Sequence, residues 1–236
     1  MVLERMDVNS NPDGLQVILH QLRYDFVLAR MPRHSKVLEI GTGLGAFTKQ
    51  LVPRCSSYIG VEYDPVACDA ARRNAGPGVE IIEGDARKLP FGSNQFSFVV
   101  CLEVLEHLGD YQAGVRNIHR CLDSAGTAII SVPYRRTGGK STVNPYHLYE
   151  PGESELVSLF RQLFAIVDVH YLYFEETPLM KFARRMHFRR LLGWNRFYAD
   201  LSAGLPEATA KLRIGQKSAG MNINLILVAR DKRSET

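Results

Sequence analysis

The sequence predicts an α/β fold: a doubly wound, mostly parallel sheet of seven strands, with an insertion before the last. Three observations carry that expectation. Residues 37–48, Val-Leu-Glu-Ile-Gly-Thr-Gly-Leu-Gly-Ala-Phe-Thr, run from a buried strand into Gly41, Gly43 and Gly45, and a helix follows. From there to residue 132, short apolar runs alternate with helical periodicity, which implies parallel strands joined by right-handed crossovers. The chain has 236 residues, 45% hydrophobic and 23% charged, which suits one such domain with an elaboration.

Each element has a local reason. Leu15, Ile18, Leu19, Leu22 and Phe26 recur at helical spacing across residues 14–30. Pro32 to Lys36 separates that helix from the strand of Val37, Leu38 and Ile40. The helix after the glycines, Phe47 to Val52, should stop at Pro53. Tyr58 to Glu62 forms a second strand. Asp64-Pro65 then opens a helix with an N-cap acid and a first-turn proline, and Gly76-Pro77-Gly78 closes it. Val79 to Ile82, Phe96 to Cys101 and Thr127 to Val132 supply strands three to five, with a helix from Tyr111 to Leu122 between the last two. A loop rich in glycine, proline and tyrosine follows, from Pro133 to Gly152. A helix over Glu153 to Phe164, a strand over Ile166 to Phe174 and a final antiparallel strand, Asn222 to Ala229, complete the sheet. Residues 175–219 are far more than a hairpin turn needs. The expected organisation is an N-terminal helical segment (1–34), an α/β core (35–174), an insertion (175–219), and the last strand with its tail (220–236).

Bulk properties exclude several classes. A net charge of +4 does not argue for nucleic acid. Cys55, Cys68, Cys101 and Cys121 are scattered without a C-x-x-C pair, so they read as thiols in a reducing compartment. The N-terminus lacks a basic start followed by an apolar run, and no apolar stretch is long enough to span a bilayer. The expected location is cytoplasmic.

Glycines at the spacing of 41, 43 and 45 let the backbone turn sharply and admit a ligand to main-chain atoms. At the carboxyl edge of a parallel sheet, that ligand is an adenosine-containing cofactor. Gly41, Gly43 and Ala46 also satisfy G-x-G-x-x-A, and Glu62 lies about where a ribose-binding acid belongs, so the loop alone also suits a dinucleotide. Three features favour a methyl donor. Glu39, two residues before Gly41, is awkward beside a pyrophosphate but suits an ammonium group. Gly84-Asp85-Ala86 follows strand three and can accept from an adenine amino group. Phe98 to Glu103 places the end of strand four as the pocket floor.

Together these residues resemble the class I S-adenosylmethionine-dependent methyltransferases, clearly over residues 35–133. The resemblance implies their Rossmann-like sheet and a role for each motif. Glu39 and the loop Gly41-Thr42-Gly43-Leu44-Gly45 would hold the methionine part of S-adenosylmethionine. Glu62 would hold the ribose, Asp85 and Ala86 the adenine, and Leu102 would pack beside it.

Glu103-Val-Leu-Glu106-His107 follows strand four. If helical, Glu103, Glu106 and His107 project from one face. His147, in Asn144-Pro-Tyr-His-Leu-Tyr-Glu150, lies in the loop expected to fold over the same edge. These two carboxylates and two imidazoles can bind a divalent metal such as magnesium. The pattern is similar to ubiquinone-biosynthesis O-methyltransferases and small-RNA 2′-O-methyltransferases, which share an E-x-x-E-H and a later histidine. The plainer reading is a Leu-Glu-His-Leu run that binds no metal, in which Glu106 merely caps and His107 is satisfied by hydrogen bonds. In that case His147 or His107 is the general base. Tyr134, Tyr146 and Tyr149 crowd the same loop.

Between Lys181 and Arg196 six basic residues, and no acid, alternate with Phe182, Met186, Phe188, Leu191, Leu192 and Trp194. This stretch reads as a solvated basic face, a lid over the acceptor, or a membrane-surface or anionic contact; a nucleic-acid role is disfavoured. The expected function is methyl transfer to a hydroxyl oxygen of a small or medium-sized metabolite. The alternatives are an N-methyltransferase or an inactive binding subunit of the same fold.

Overall fold

The computed structural model describes residues 14–76, 79–141, 144–176, 211–218 and 221–234. Its elements run α1 (Gly14–Leu28), β1 (Ser35–Ile40), α2 (Thr48–Leu51), β2 (Cys55–Glu62), α3 (Pro65–Ala75), β3 (Glu80–Glu83), β4 (Phe96–Leu102), α4 (Tyr111–Cys121), β5 (Leu122–Pro133), α5 (Glu153–Leu163), β6 (Phe164–Phe174), β7 (Leu212–Gly215) and β8 (Met221–Lys232). The strand order is β3-β2-β1-β4-β5-β8-β6-β7. Strands β1 to β5 pair in parallel, β8 lies antiparallel between β5 and β6, and β7 pairs antiparallel with β6.

Both faces of the sheet are covered, which is why the central strands read as continuous apolar runs. Leu38, Ile40, Val99, Cys101 and Ile130 pack with Val115, Ile118, Leu156 and Phe160 of α4 and α5. Val37, Phe98, Val100 and Ile226 pack on the other face with Leu19, Val27 and Ala71 of α1 and α3. Caps fix the helix starts. Asp64 accepts from the Ala67 amide at 2.9 Å in α3, and Asp110 from the Ala113 amide at 2.9 Å in α4.

The order reverses between β1 and β4, whose carboxyl ends stand side by side: Ile40 is in register with Val61 on β2 and with Cys101 on β4. A crevice at such a switch point is where doubly wound sheets bind ligands. It collects the glycine loop, Glu62 and the segment after Leu102.

Two expectations need correction. The sheet has an eighth strand, β7, inside the segment assigned to the insertion. It is four residues long, includes Arg213 and lies at the sheet's edge, so hydrophobic alternation does not mark it. The segment after β4 is also not a helix beginning at Glu103. Glu103 has φ +56°, and only residues 105–107 form a short 3-10 turn. The basic stretch 181–196 lies outside the described residues. Among the described residues, no helix is long and apolar enough to cross a membrane.

Gly45 joins the loop to the core: at φ +73°, a Cβ there would lie 2.9 Å from the Ala71 backbone. Gly45→Ala should therefore destabilise the fold by about 1–3 kcal/mol, the scale of such backbone strain. Urea unfolding checks this; an unchanged midpoint would contradict the packing.

Candidate active site

Gly41, Gly43 and Gly45 all adopt left-handed backbone, at φ +77°, +55° and +73°. The three have different neighbours. A side chain on Gly41 would collide with Val104, and one on Gly45 with α3, whereas nothing lies within 4 Å of a Cβ on Gly43. Gly43 thus marks the open side of the loop. Its amide donates to Glu62 Oε2 at 2.9 Å, and the Asp64 amide donates to Oε1 at 3.1 Å. Beside it the Thr42 hydroxyl is buried without a hydrogen-bond partner among the described residues. An orphaned hydroxyl, an open glycine and a carboxylate at one strand edge fit a polar ligand laid across the loop.

Glu39 has a different setting from the one expected. It is 1% exposed, and its carboxylate accepts hydrogen bonds from the hydroxyls of Tyr24, Tyr58 and, at 3.0 Å, Thr48. Burial raises its carboxyl above the ordinary range, and the three donors oppose that rise. The side chain is turned toward hydroxyls of α1, α2 and β2, which gives Glu39 a supporting role beneath the loop.

At the end of β3, Asp85 caps the next turn through the Arg87 amide at 2.8 Å and holds the Arg87 guanidinium in a paired contact. Those hydrogen bonds keep its carboxyl below the usual range. Ala86 and Leu102 are buried on opposite faces of the sheet, at 6% and 8% exposure. Their side chains pack in the core, leaving backbone at the crevice.

Glu103, Glu106, His107 and His147 do not form one group. The left-handed backbone of Glu103 turns it toward β5, β8 and α1. It accepts from Ser131 Oγ at 2.6 Å and Asn224 Nδ2 at 2.7 Å, and the buried Arg23, 4.0 Å away, donates to Asn224 at 2.9 Å. The other three do converge: ligand atoms of Glu106, His107 and His147 all lie within 4.8 Å of one another. Glu106 is fully buried, and neither carboxyl oxygen has a hydrogen-bond partner among the described residues. Burial first, then the charge of Glu103, pushes its carboxyl well above the ordinary range. His107 Nδ1 lies 3.1 Å from the Tyr146 carbonyl, and its ring stands edge-on to that of His147 at 4.9 Å. His147 Nδ1 lies 2.6 Å from Glu150, and its Nε2 2.8 Å from the Asn144 amide. Burial would raise Glu150, but hydrogen bonds from His147, Ser141 and Arg135 hold it below the usual range.

Residues 38–130, which span the loop, the Glu62 edge and the Glu106 turn, match the methyltransferase-domain family model. A relative from Mycobacterium tuberculosis, named as a probable S-adenosylmethionine-dependent methyltransferase, is 33% identical over 143 residues, 59% of this chain and 52% of that protein. Over residues 38–130 the chain is similar to S-adenosylmethionine-dependent methyltransferases. The demethylmenaquinone methyltransferase of Deinococcus radiodurans is 32% identical over 108 residues, 44% of each protein. The chain thus spans about half the length of the curated relatives it matches. A SAM-dependent methyltransferase of Thermotoga maritima shares the fold, with a TM-score of 0.65 and 18% identity over 92% of this chain and 91% of that one.

The site draws on residues that motif spacing does not single out. Tyr24, Thr48 and Tyr58 enclose Glu39, and Arg23, Ser131 and Asn224 enclose Glu103. A signal existed for the tyrosines alone: on buried faces of α1 and β2 their hydroxyls need a polar partner.

A raised Glu106 binds its proton in the folded state at pH values where the unfolded chain, near 4.5, has lost it. Its contribution is present below that value and is lost as pH rises toward the folded pKa. Glu106→Gln should therefore flatten the fall of stability as pH rises above about 4.5, by up to about 1.4 kcal/mol per pH unit. Urea titrations of both proteins with chelator present check this; parallel slopes would contradict it.

Proposed function

We propose that this chain transfers a methyl group from S-adenosylmethionine to a hydroxyl oxygen on a small or medium-sized metabolite. The observation that carries the reading is the buried carboxyl of Glu106, without a hydrogen-bond partner among the described residues and grouped with two imidazoles beside the glycine loop. Val104, the residue against Gly41, ties that group to the loop. The name of the Deinococcus relative gives a quinone-type ring as its acceptor, which supports a ring-bearing metabolite here.

When bound, S-adenosylmethionine supplies a sulfonium methyl, an electrophile with a good leaving group. The chain's own task is to hold the donor and activate a weak nucleophile. Glu62, which accepts from the Gly43 and Asp64 amides at the edge of the crevice, would take the ribose hydroxyls. Thr42 gains its missing partner, and Asp85, with the lone pairs Arg87 leaves, meets the adenine amino group. Glu39 acts from beneath, by fixing Thr48 and the strand that launches the loop.

Acceptor activation has two routes. In the base route His107 takes the hydroxyl proton. Its Nδ1 faces a carbonyl and so carries hydrogen, which leaves Nε2 as the accepting nitrogen in the neutral ring. At His147 both nitrogens are engaged, Nδ1 by Glu150 and Nε2 by Asn144. In the metal route a divalent ion such as magnesium would be held by Glu106, His107 and His147, and would lower the pKa of an acceptor hydroxyl. Asn144 would have to release His147 Nε2 for that.

Glu62→Ala should weaken S-adenosylmethionine binding about tenfold or more while leaving the fold intact, since it removes charge-assisted hydrogen bonds. Titration calorimetry checks it, and equal affinity would contradict the assignment. Labelled methyl donor with fractionated cell extract gives turnover. His107→Ala should lower that turnover by about a hundredfold or more and spare donor binding. Chelator that stops the wild-type enzyme selects the metal route; an unchanged rate selects the base route. Donor binding without methylation of any fraction would favour the inactive binding subunit.

A further inference from the structure

Neither route uses Glu150, yet few residues of the β5–α5 loop are held as firmly. Its carboxylate is 6% exposed and accepts from His147 Nδ1 at 2.6 Å and from Arg135 Nε. Its backbone bridges Gly139 in both directions, at 3.0 and 2.9 Å. The adjoining Tyr149 stacks on Tyr111 with ring centres 5.9 Å apart, and both hydroxyls donate to Glu155. The Glu153 amide returns to the Arg135 carbonyl at 2.9 Å, which closes the loop around the ion pair. A solvated loop acid needs none of these restraints.

The chemistry of the contact fixes where the hydrogen sits. A carboxylate only accepts, so His147 Nδ1 carries hydrogen. Nε2 is then the accepting nitrogen, and an amide NH2 must face it. Asn144 meets that demand: its Oδ1 already accepts from the Tyr146 amide at 3.0 Å, which turns Nδ2 toward the ring. The two contacts together hold the His147 ring at 84° to that of His107.

We propose that Glu150 is a positioning residue of the acceptor site, fixing the orientation and the hydrogen placement of His147 against His107. The inference rests on the proposed methyltransferase reading only in treating the two histidines as the acceptor-activating pair. The competing role for Glu150 is stapling the loop through Arg135, with His147 an incidental neighbour.

Nuclear magnetic resonance of full-length protein labelled with 15N-histidine separates these, with His147→Gln assigning the signal. In the wild type His147 should carry hydrogen on Nδ1. In Glu150→Ala it should shift to the Nε2-protonated form or to exchange between the two. Calorimetric affinity for S-adenosylmethionine should stay within about twofold, and turnover should fall by up to about a hundredfold, the scale of a misplaced catalytic group. An unchanged His147 signal in folded Glu150→Ala would overturn the proposal. Should that variant fail to fold, Arg135→Met keeps the carboxylate while freeing it to move. It should broaden the His147 signal, and a sharp wild-type signal would be equally fatal. Wild-type protein that binds no S-adenosylmethionine would instead sink the functional reading, whatever the histidine signal shows.

Discussion

The structure depends on a loop whose backbone is left-handed at Gly41, Gly43 and Gly45, held by carboxylates from two adjacent strands. Glu62, at the end of β2, accepts the Gly43 amide directly. Glu39, on β1, is buried below and reaches Thr48 just past the loop, with Tyr24 and Tyr58 supplying its other hydrogen bonds. A buried carboxylate costs several kcal/mol unless donors satisfy it. Three hydroxyls from α1, α2 and β2 therefore cannot be moved independently. The loop is preorganised from beneath, so its open side is available to a ligand without rearrangement.

The same logic operates on the other side of the switch point. Glu103 takes a strained left-handed conformation, of order 1–3 kcal/mol, and hydrogen bonds from Ser131 and Asn224, with Arg23 close by, stabilise it there. That turn separates it from Glu106, whose buried carboxyl has no hydrogen-bond partner among the described residues and lies beside His107 and His147. One sharp backbone reversal thus sends two acids three residues apart into different surroundings.

The sheet was legible because its strands are apolar runs between clear stop signals. Asp64-Pro65 and the glycine loop mark their elements by local chemistry alone. Edge strand β7 was not legible, since a four-residue strand half open to solvent needs no periodic pattern. Within the site, Glu62 and the glycines sit at the sheet's carboxyl edge as their spacing indicates. The roles of Glu39 and Glu103 depend on partners 9 to 121 residues away, a tertiary fact that spacing does not encode. The condition that residues 103–107 be helical is not met, because Glu103 has positive φ, which residue type alone does not announce. Glu150 was visible only as the last letter of a loop motif, because its importance comes from Arg135 and Gly139 across the loop.

At the centre of this account is the claim that the crevice above Gly43 is shaped for a sulfonium-bearing nucleoside. Titration of the purified full chain with S-adenosylmethionine and, separately, with oxidised and reduced nicotinamide dinucleotides tests it most directly. Saturable one-site binding of the first and no heat from the others is the predicted result. Binding of a dinucleotide with S-adenosylmethionine ignored would contradict it.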